Sequence, residues 1–263
     1  MIDISSDGHV HTRLCHHAVG EMEDYVRAAI ERGLSEIVFL EHLEIGIRYR
    51  QVNWPTEEDF AYYQAEGERL QTLYAGRIRI GLGVEAGYHP RTVQQIKDRL
   101  MARRWDRIGI SYHYMPLPDM DEDLNMLTRA ADVVERASRY GGERILDEYF
   151  AGLYRAVSQL SGLPGTVLCH LDAALRYLPG LSFTAKHLAA IEALLRLVKD
   201  QGMALEVNTS GLAIRGEVFP RLAILRQALA LGIPLVAGSD AHSPQEVGRF
   251  FSKLPELVGQ ASR

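Results

Sequence analysis

Short apolar, β-branched runs recur along the chain and alternate with longer stretches of helical periodicity. The runs predict strands over Ile2–Ser6, Glu36–Leu40, Ile78–Val84, Arg107–Ser111, Thr166–Cys169, Ala204–Asn208 and Ile233–Ala237. The stretches between them predict helices over Met22–Arg32, Glu57–Tyr74, Val93–Arg103, Leu124–Tyr140, Glu143–Leu160, Ala185–Asp200 and Arg221–Leu231. Gly33, Gly202 and Gly232 each stand between such a stretch and the next strand, where a C-cap glycine belongs. Thr56 precedes Glu57, Glu58 and Asp59, an N-cap with acids in the first turn. Strands alternating with helices imply an α/β fold with a parallel sheet. No Pro/Gly/Ser-rich linker divides the chain, so residues 1–263 read as one domain. The acidic run Asp119-Met120-Asp121-Glu122-Asp123, ahead of two consecutive helices, reads as a solvated loop and helix start.

An open doubly wound sheet would carry a glycine-rich turn after its first strand. Here that strand runs into Asp7-Gly8-His9-Val10-His11, with neither GxGxxG nor GxxxxGK[ST], and Gly81-Leu82-Gly83 lies inside a strand. A closed or nearly closed barrel fits better, with the residues after each strand meeting at one mouth.

Composition narrows the setting. A 263-residue chain that is 47% hydrophobic and 24% charged is an ordinary globular protein. Its formal charge of −5 disfavours nucleic acid as the main partner. The N-terminus lacks a basic segment followed by an apolar one, and no apolar run is long enough to span a membrane. Two cysteines, Cys15 and Cys169, exclude a disulfide framework and suit small buried residues in a reducing cytoplasm. The unusual figure is ten histidines.

Placed on the predicted strands, the histidines fall at one end. His9 and His11 follow the first strand, His42 the second, His113 the fourth, His170 the fifth and His242 the seventh, with Glu85 closing the third and Asp240 beside His242. A single histidine at a strand end is usually structural; this recurrence is not. On extended backbone, residues i and i+2 point the same way, so His9/His11 and Asp240/His242 can each face one ion. Imidazole and carboxylate without thiolate suit zinc, iron or manganese. The candidate ligands are too many for one ion, so two or three metals sharing a bridging carboxylate, Glu85, are expected.

The ordered motifs Asp7-Gly-His9-Val-His11-Thr12, Cys15-His-His17, Glu41-His42, Gly83-Val-Glu85, Ser111-Tyr-His113, Cys169-His170-Leu-Asp172, Glu206-Val-Asn208 and Gly238-Ser-Asp240-Ala-His242 resemble the polymerase and histidinol phosphatase (PHP) family. Within it they are most similar to the monofunctional histidinol-phosphate phosphatases. The resemblance implies a distorted (β/α)7 TIM-like barrel with three metals at the C-terminal ends of its strands. It assigns His9, His11, Glu85 and Asp240 to the first metal, and Glu85, His113 and His170 to the second. His17, His42 and His242 would hold the third. His16, an exposed loop residue, His89 and His187, the last on a helix surface, match no ligand position. Glu41 departs from an aspartate common in the family, and the longer side chain either orients a ligand or alters substrate preference.

The expected activity is hydrolysis of a phosphate monoester, with L-histidinol phosphate as the substrate the resemblance implies and hydroxide from a metal-bridging water as nucleophile. Arg176 is the first candidate for phosphate binding and catalysis, Arg215 the second, and Asn208 and Glu41 are further substrate-side candidates. Asp172 or a metal-bound water would protonate the leaving group. Competing readings are a phosphodiesterase or nuclease on the same metals, an amidohydrolase, and a non-catalytic metal-binding module. The first lacks a basic, aromatic-interleaved run, since Arg103, Arg104 and Arg107 read as a solvated helix end.

Overall fold

The computed structural model describes residues 2–118, 120–160 and 162–262. Seven parallel strands run in the order β1 (Ser6–Val10), β2 (Glu36–Leu43), β3 (Arg79–Gly87), β4 (Ile108–Ser111), β7 (Thr166–Leu168), β8 (Ala204–Asn208) and β9 (Leu235–Gly238). Between β4 and β7, β5 (Tyr114–Met115) and β6 (Leu124–Asn125) form a small antiparallel pair. β9 returns to β1 just beyond its own end: the His11 amide donates to the Ala241 carbonyl at 2.9 Å and the Asp240 amide to the His9 carbonyl at 2.9 Å. The sheet is thus a nearly closed TIM-like barrel, as the alternation of elements predicts.

Around it lie α1 (Met22–Glu31), α2 (Glu57–Leu73), α3 (Val93–Met101), α4 (Ala131–Tyr140), α5 (Gly142–Leu160), α6 (Ala185–Asp200), α7 (Ser210–Arg215), α8 (Leu222–Ala230) and α9 (Leu254–Ala261). Helices on the outside make the strands two-sided, which is why Ile37, Val38, Phe39 and Leu40 of β2 are consecutive and all buried. Gly33, Gly202 and Gly232 adopt positive φ after α1, α6 and α8, and Thr56 caps α2 in a reciprocal box with Asp59. Among the described residues no helix is long and apolar enough to cross a membrane.

Several expectations shift. β1 occupies Ser6–Val10 rather than Ile2–Ser6, and β2 and β3 run on to Leu43 and Gly87. In each case the added stretch includes a polar residue, His9, His42 or Glu85, that a hydrophobic pattern assigns to a loop but the parallel ladder keeps extended. Helix α4 starts at Ala131, not Leu124, because local side-chain bonds compete with helix there: Asn125 Oδ1 accepts from the Leu127 amide at 3.0 Å and Thr128 Oγ1 from the Ala130 amide at 3.2 Å.

His187 is not on a helix surface. It is buried, and its Nδ1 accepts from the Thr184 amide at 3.1 Å while Thr184 Oγ1 accepts from the His187 amide at 3.3 Å. Nor is Arg107 at a solvated helix end. Its Nη1 donates to the Gly8 carbonyl at 3.0 Å, and a Cβ at Gly8 would overlap the guanidinium. Of the acidic run, Asp119 lies outside the described residues, and Asp123 is buried rather than solvated.

Candidate metal centre

The strand ends bring the predicted ligands together at one cavity of about 510 Å³, which His17, His42, Glu85, His113, His170, Asp240 and His242 line, while His9 and His11 are buried against Glu85 and do not line it. His9 in β1 and His11 just past it bring their Nε2 atoms to 2.9 Å from each other, as the i, i+2 spacing requires. Glu85 stands between two sets of imidazoles. Its Oε2 is 3.6 Å from Nε2 of both His9 and His11 and 2.9 Å from His42 Nδ1. Its Oε1 is 3.1 Å from His113 Nε2 and 2.8 Å from His170 Nε2. Asp240 Oδ1 adds a contact of 3.4 Å to His11 Nε2. Farther out, His17 and His242 bring their Nε2 atoms to 2.9 Å, with His42 completing the group. Two residues of this lining, His170 and Asp240, sit on positive-φ backbone without being glycines.

Hydrogen bonding shows what this cluster fits. His17 Nδ1 donates to the Cys15 carbonyl at 2.8 Å and His242 Nδ1 to the Asp240 carbonyl at 3.0 Å. Each Nε2 of these neutral rings is therefore a lone pair, and the two lone pairs face each other. His113 has a similar aim: Nδ1 binds Glu44 Oε1 at 2.6 Å, which turns Nε2 toward the Glu85 carboxylate at 3.1 Å, so that a proton or a metal ion must stand between them. Cations belong in these gaps. Glu85 Oε2, His11 Nδ1 and His170 Nδ1 are also buried without hydrogen-bond partners. The imidazole and carboxylate donors fit a borderline divalent metal.

The electrostatics agree. Burial disfavours charge on Glu85, yet the imidazoles of His113, His9 and His42 outweigh it and hold the carboxyl well below its usual range. Asp240 is held down likewise, burial being overcome by the bond to His11 and by His9 and His242. Burial, together with His42 and His242, keeps His11 well below an ordinary histidine and hence neutral. At His113, burial is outweighed by Glu85 and Glu44, which push it up to about 10.

Two carboxylates outside the predicted set complete the arrangement. Glu206 on β8 accepts from His9 Nδ1 at 2.7 Å through Oε1 and from the His170 amide at 2.8 Å through Oε2. Glu44, just past β2, does the same for His113. Such carboxylates set the tautomer and aim of a ligating histidine. Glu206 had a signal, since it stands in a recognised motif; Glu44 had none beyond lying two residues after His42.

The predicted substrate-side residues divide. Arg176 lines the cavity, its Nε donating to the Leu127 carbonyl at 3.3 Å while Nη1 has no partner. Arg215 does not line the cavity: its Nη2 donates to Asp172 Oδ2 at 2.8 Å and to the Val218 carbonyl at 3.1 Å. Asp172 Oδ2 also accepts from Arg221 Nε at 2.9 Å, so this buried carboxylate anchors two arginines. Asn208 Oδ1 accepts from the amide and hydroxyl of Ser210, at 3.0 and 2.6 Å, and caps the turn into α7. Glu41 Oε1 accepts from the Thr12 amide and hydroxyl at 2.7 and 2.5 Å, fixing the chain after His11, and burial pushes its carboxyl up to about 8 against those bonds. Neither Asn208 nor Glu41 lines the cavity.

Comparison with known proteins agrees with this geometry. The PHP domain model matches residues 7–210, and a PHP-associated model matches residues 223–259. A Deinococcus radiodurans protein named "Probable histidinol-phosphatase" is 34% identical over 262 residues, covering 95% of this chain and 92% of its own. The Bacillus subtilis histidinol-phosphatase is 26% identical, covering 95% and 98%. A solved Listeria monocytogenes structure assigned as a histidinol phosphatase superposes with a TM-score of 0.84 at 25% identity, over 94% of this chain and 99% of that one. In fold, the chain also matches a Lactococcus lactis histidinol phosphate phosphatase solved with zinc, L-histidinol and phosphate, at a TM-score of 0.75 and 21% identity over 100% and 95% of the two chains. With the PHP model covering residues 7–210 and a relative at 34% identity along nearly its whole length, this chain belongs to the PHP domain family.

Proposed function

We propose that the chain is a metal-dependent phosphoric monoester hydrolase whose substrate is L-histidinol phosphate, releasing L-histidinol and phosphate. The observation that carries the reading is Glu85, whose two carboxylate oxygens face separate imidazole groups at the floor of a cavity that also holds Arg176. In this reading His9, His11, Glu85 and Asp240 hold one divalent ion, and Glu85, His113 and His170 a second. His17, His42 and His242 hold a third, the set being zinc, iron or manganese. Bound metals supply hydroxide at neutral pH and neutralise charge on the phosphoryl oxygens.

The chain's own groups do the rest. Glu206 and Glu44 keep Nδ1 of His9 and His113 protonated, so that their Nε2 atoms point lone pairs into the centre. Arg176, held through Nε by the Leu127 carbonyl, keeps the outer edge of its guanidinium for the phosphoryl oxygens. Polar side chains across the cavity, among them Asn53, Asn125 and Thr128, receive the leaving alcohol. The names carried by the relatives support the substrate.

Elemental analysis of the purified chain, run beside phosphate release from L-histidinol phosphate and from a phosphodiester, tests this. The expected result is two or three equivalents of metal and preferential cleavage of the monoester. Preferential diester cleavage would replace the substrate, and a metal-loaded chain inert toward monoesters would replace the reaction.

A further inference from the structure

The wall of the cavity facing the centre comes from chain segments remote in sequence. Gln51 and Asn53 lie between β2 and α2, Tyr114 in β5, and Asn125 and Thr128 in and after β6. Aromatic contacts join part of it, with Tyr114 5.2 Å from Tyr49 and 5.7 Å from Trp54 between ring centroids. These segments contribute no strand to the barrel, so something else must hold them in register.

Asp123 is placed to do so. Its side chain is fully buried, and its two oxygens are shared between loops. Oδ2 accepts from the Arg48 amide at 2.8 Å, and Oδ1 accepts from Arg91 Nη2 at 2.9 Å and Arg48 Nη2 at 3.3 Å. The Asp123 amide returns a bond to the Arg48 carbonyl at 2.7 Å. His89 Nε2 stands 3.5 Å from Oδ2, and Thr92 Oγ1 donates to the Ile45 carbonyl at 2.7 Å, stitching the loop after β3 to the same place. A buried carboxylate is costly unless paired, and this one is paired only if all three loops are in position. The residues on either side carry the wall: Arg48 leads to Gln51 and Asn53, and Asp123 leads directly into Asn125.

We propose that Asp123 is a positioning residue, a latch that, braced by the loop after β3, holds the loops after β2 and β4 together as one wall of the cavity and so sets the fit of the leaving alcohol. The identity of that alcohol rests on the phosphomonoesterase reading above; the latch itself does not. Asp123 touches none of the proposed metal ligands, so losing it leaves the metals in place and moves only the wall.

The test uses the metal-loaded chain with Asp123→Asn and, should that variant fail to fold, Arg91→Ala, which removes a half-exposed partner without opening the core. KM for L-histidinol phosphate is expected to rise about ten-fold, the equivalent of one charge-assisted hydrogen bond, with metal content unchanged. Amide hydrogen exchange is expected to rise in residues 46–53 and 120–128 together while the barrel strands stay protected. Loosening of one segment alone, or loosening of both with KM unchanged, overturns the latch. A general rise in exchange, strands included, also overturns it, because it would mark a merely structural role. A wild-type chain inert on histidinol phosphate would count against the substrate, and joint or separate loosening of the two segments would still decide the latch.

Discussion

At the scale of single residues, the telling feature is the assignment of each imidazole's two nitrogens. His9 has Nδ1 committed to Glu206, and the same carboxylate holds the amide of His170, so one side chain governs proposed ligands of two ions. Glu206→Gln is therefore expected to lower metal affinity or activity by about 10–100-fold, read by metal content after dialysis and by phosphate release. Wild-type retention of metal would contradict the role. His9→Ala removes a ligand outright, and its activity should fall at least as far as that of Glu206→Gln. His113 gives a different handle. Without metal it is pushed up to about 10 by Glu85 and Glu44 against burial, so near pH 7 it carries a proton that a metal must displace. Metal binding should then release protons and tighten as pH rises toward that value. Calorimetry of zinc binding in buffers of different ionisation enthalpy checks this, and a buffer-independent heat would contradict it.

At the scale of elements, the sequence was most legible where local rules act alone and least where partners are remote. Helix α6 falls on its predicted bounds of Ala185–Asp200 because its periodicity and its following glycine are local signals. The strands were found, but the ends of β1, β2 and β3 were misplaced where a polar candidate ligand stands inside the ladder, as His9 does in β1. His187 was misplaced because a capping box with histidine in the third position does not look like the usual Ser/Thr-x-x-Glu pattern. It buries its ring against Phe150 and Phe183 and reaches the Glu143 carbonyl from Nε2 at 3.2 Å. His187→Ala is consequently expected to cost stability by roughly 1–3 kcal/mol, combining a lost cap and a void. Thermal unfolding reads this; a variant as stable as the wild type would return His187 to the surface role its position alone suggested.

At the scale of the whole molecule, all the predicted metal ligands converge, because their strand-end positions follow from barrel topology. The substrate-side residues were harder to read. Among Arg176, Arg215, Asn208, Glu41 and Asp172, only Arg176 lines the cavity. Asn208 is held locally by Ser210, but Arg215, Glu41 and Asp172 have partners remote in sequence that no local pattern reveals, such as the Asp172 pair with Arg221 across 49 residues. The same holds for Glu44, 69 residues from His113, and for Asp123, 75 from Arg48. Long-range polar pairing was the illegible part.

The centre also ties β1, β2, β3 and the ends of β4, β7 and β9 into one cluster of buried polar groups, so bound metal should stabilise the entire barrel. Chelation is expected to lower the unfolding midpoint, by an amount set by how far free metal had exceeded its dissociation constant. The central claim is metal-dependent monoester hydrolysis at the Glu85 centre, and its most direct test is to strip the chain of metal, titrate zinc, manganese or iron back, and record phosphate release from L-histidinol phosphate. The account predicts an inactive stripped chain whose activity returns in step with two or three equivalents of metal and does not return in Glu85→Gln. Full activity in the stripped chain, or none in the fully reloaded one with any of the three metals, would contradict it.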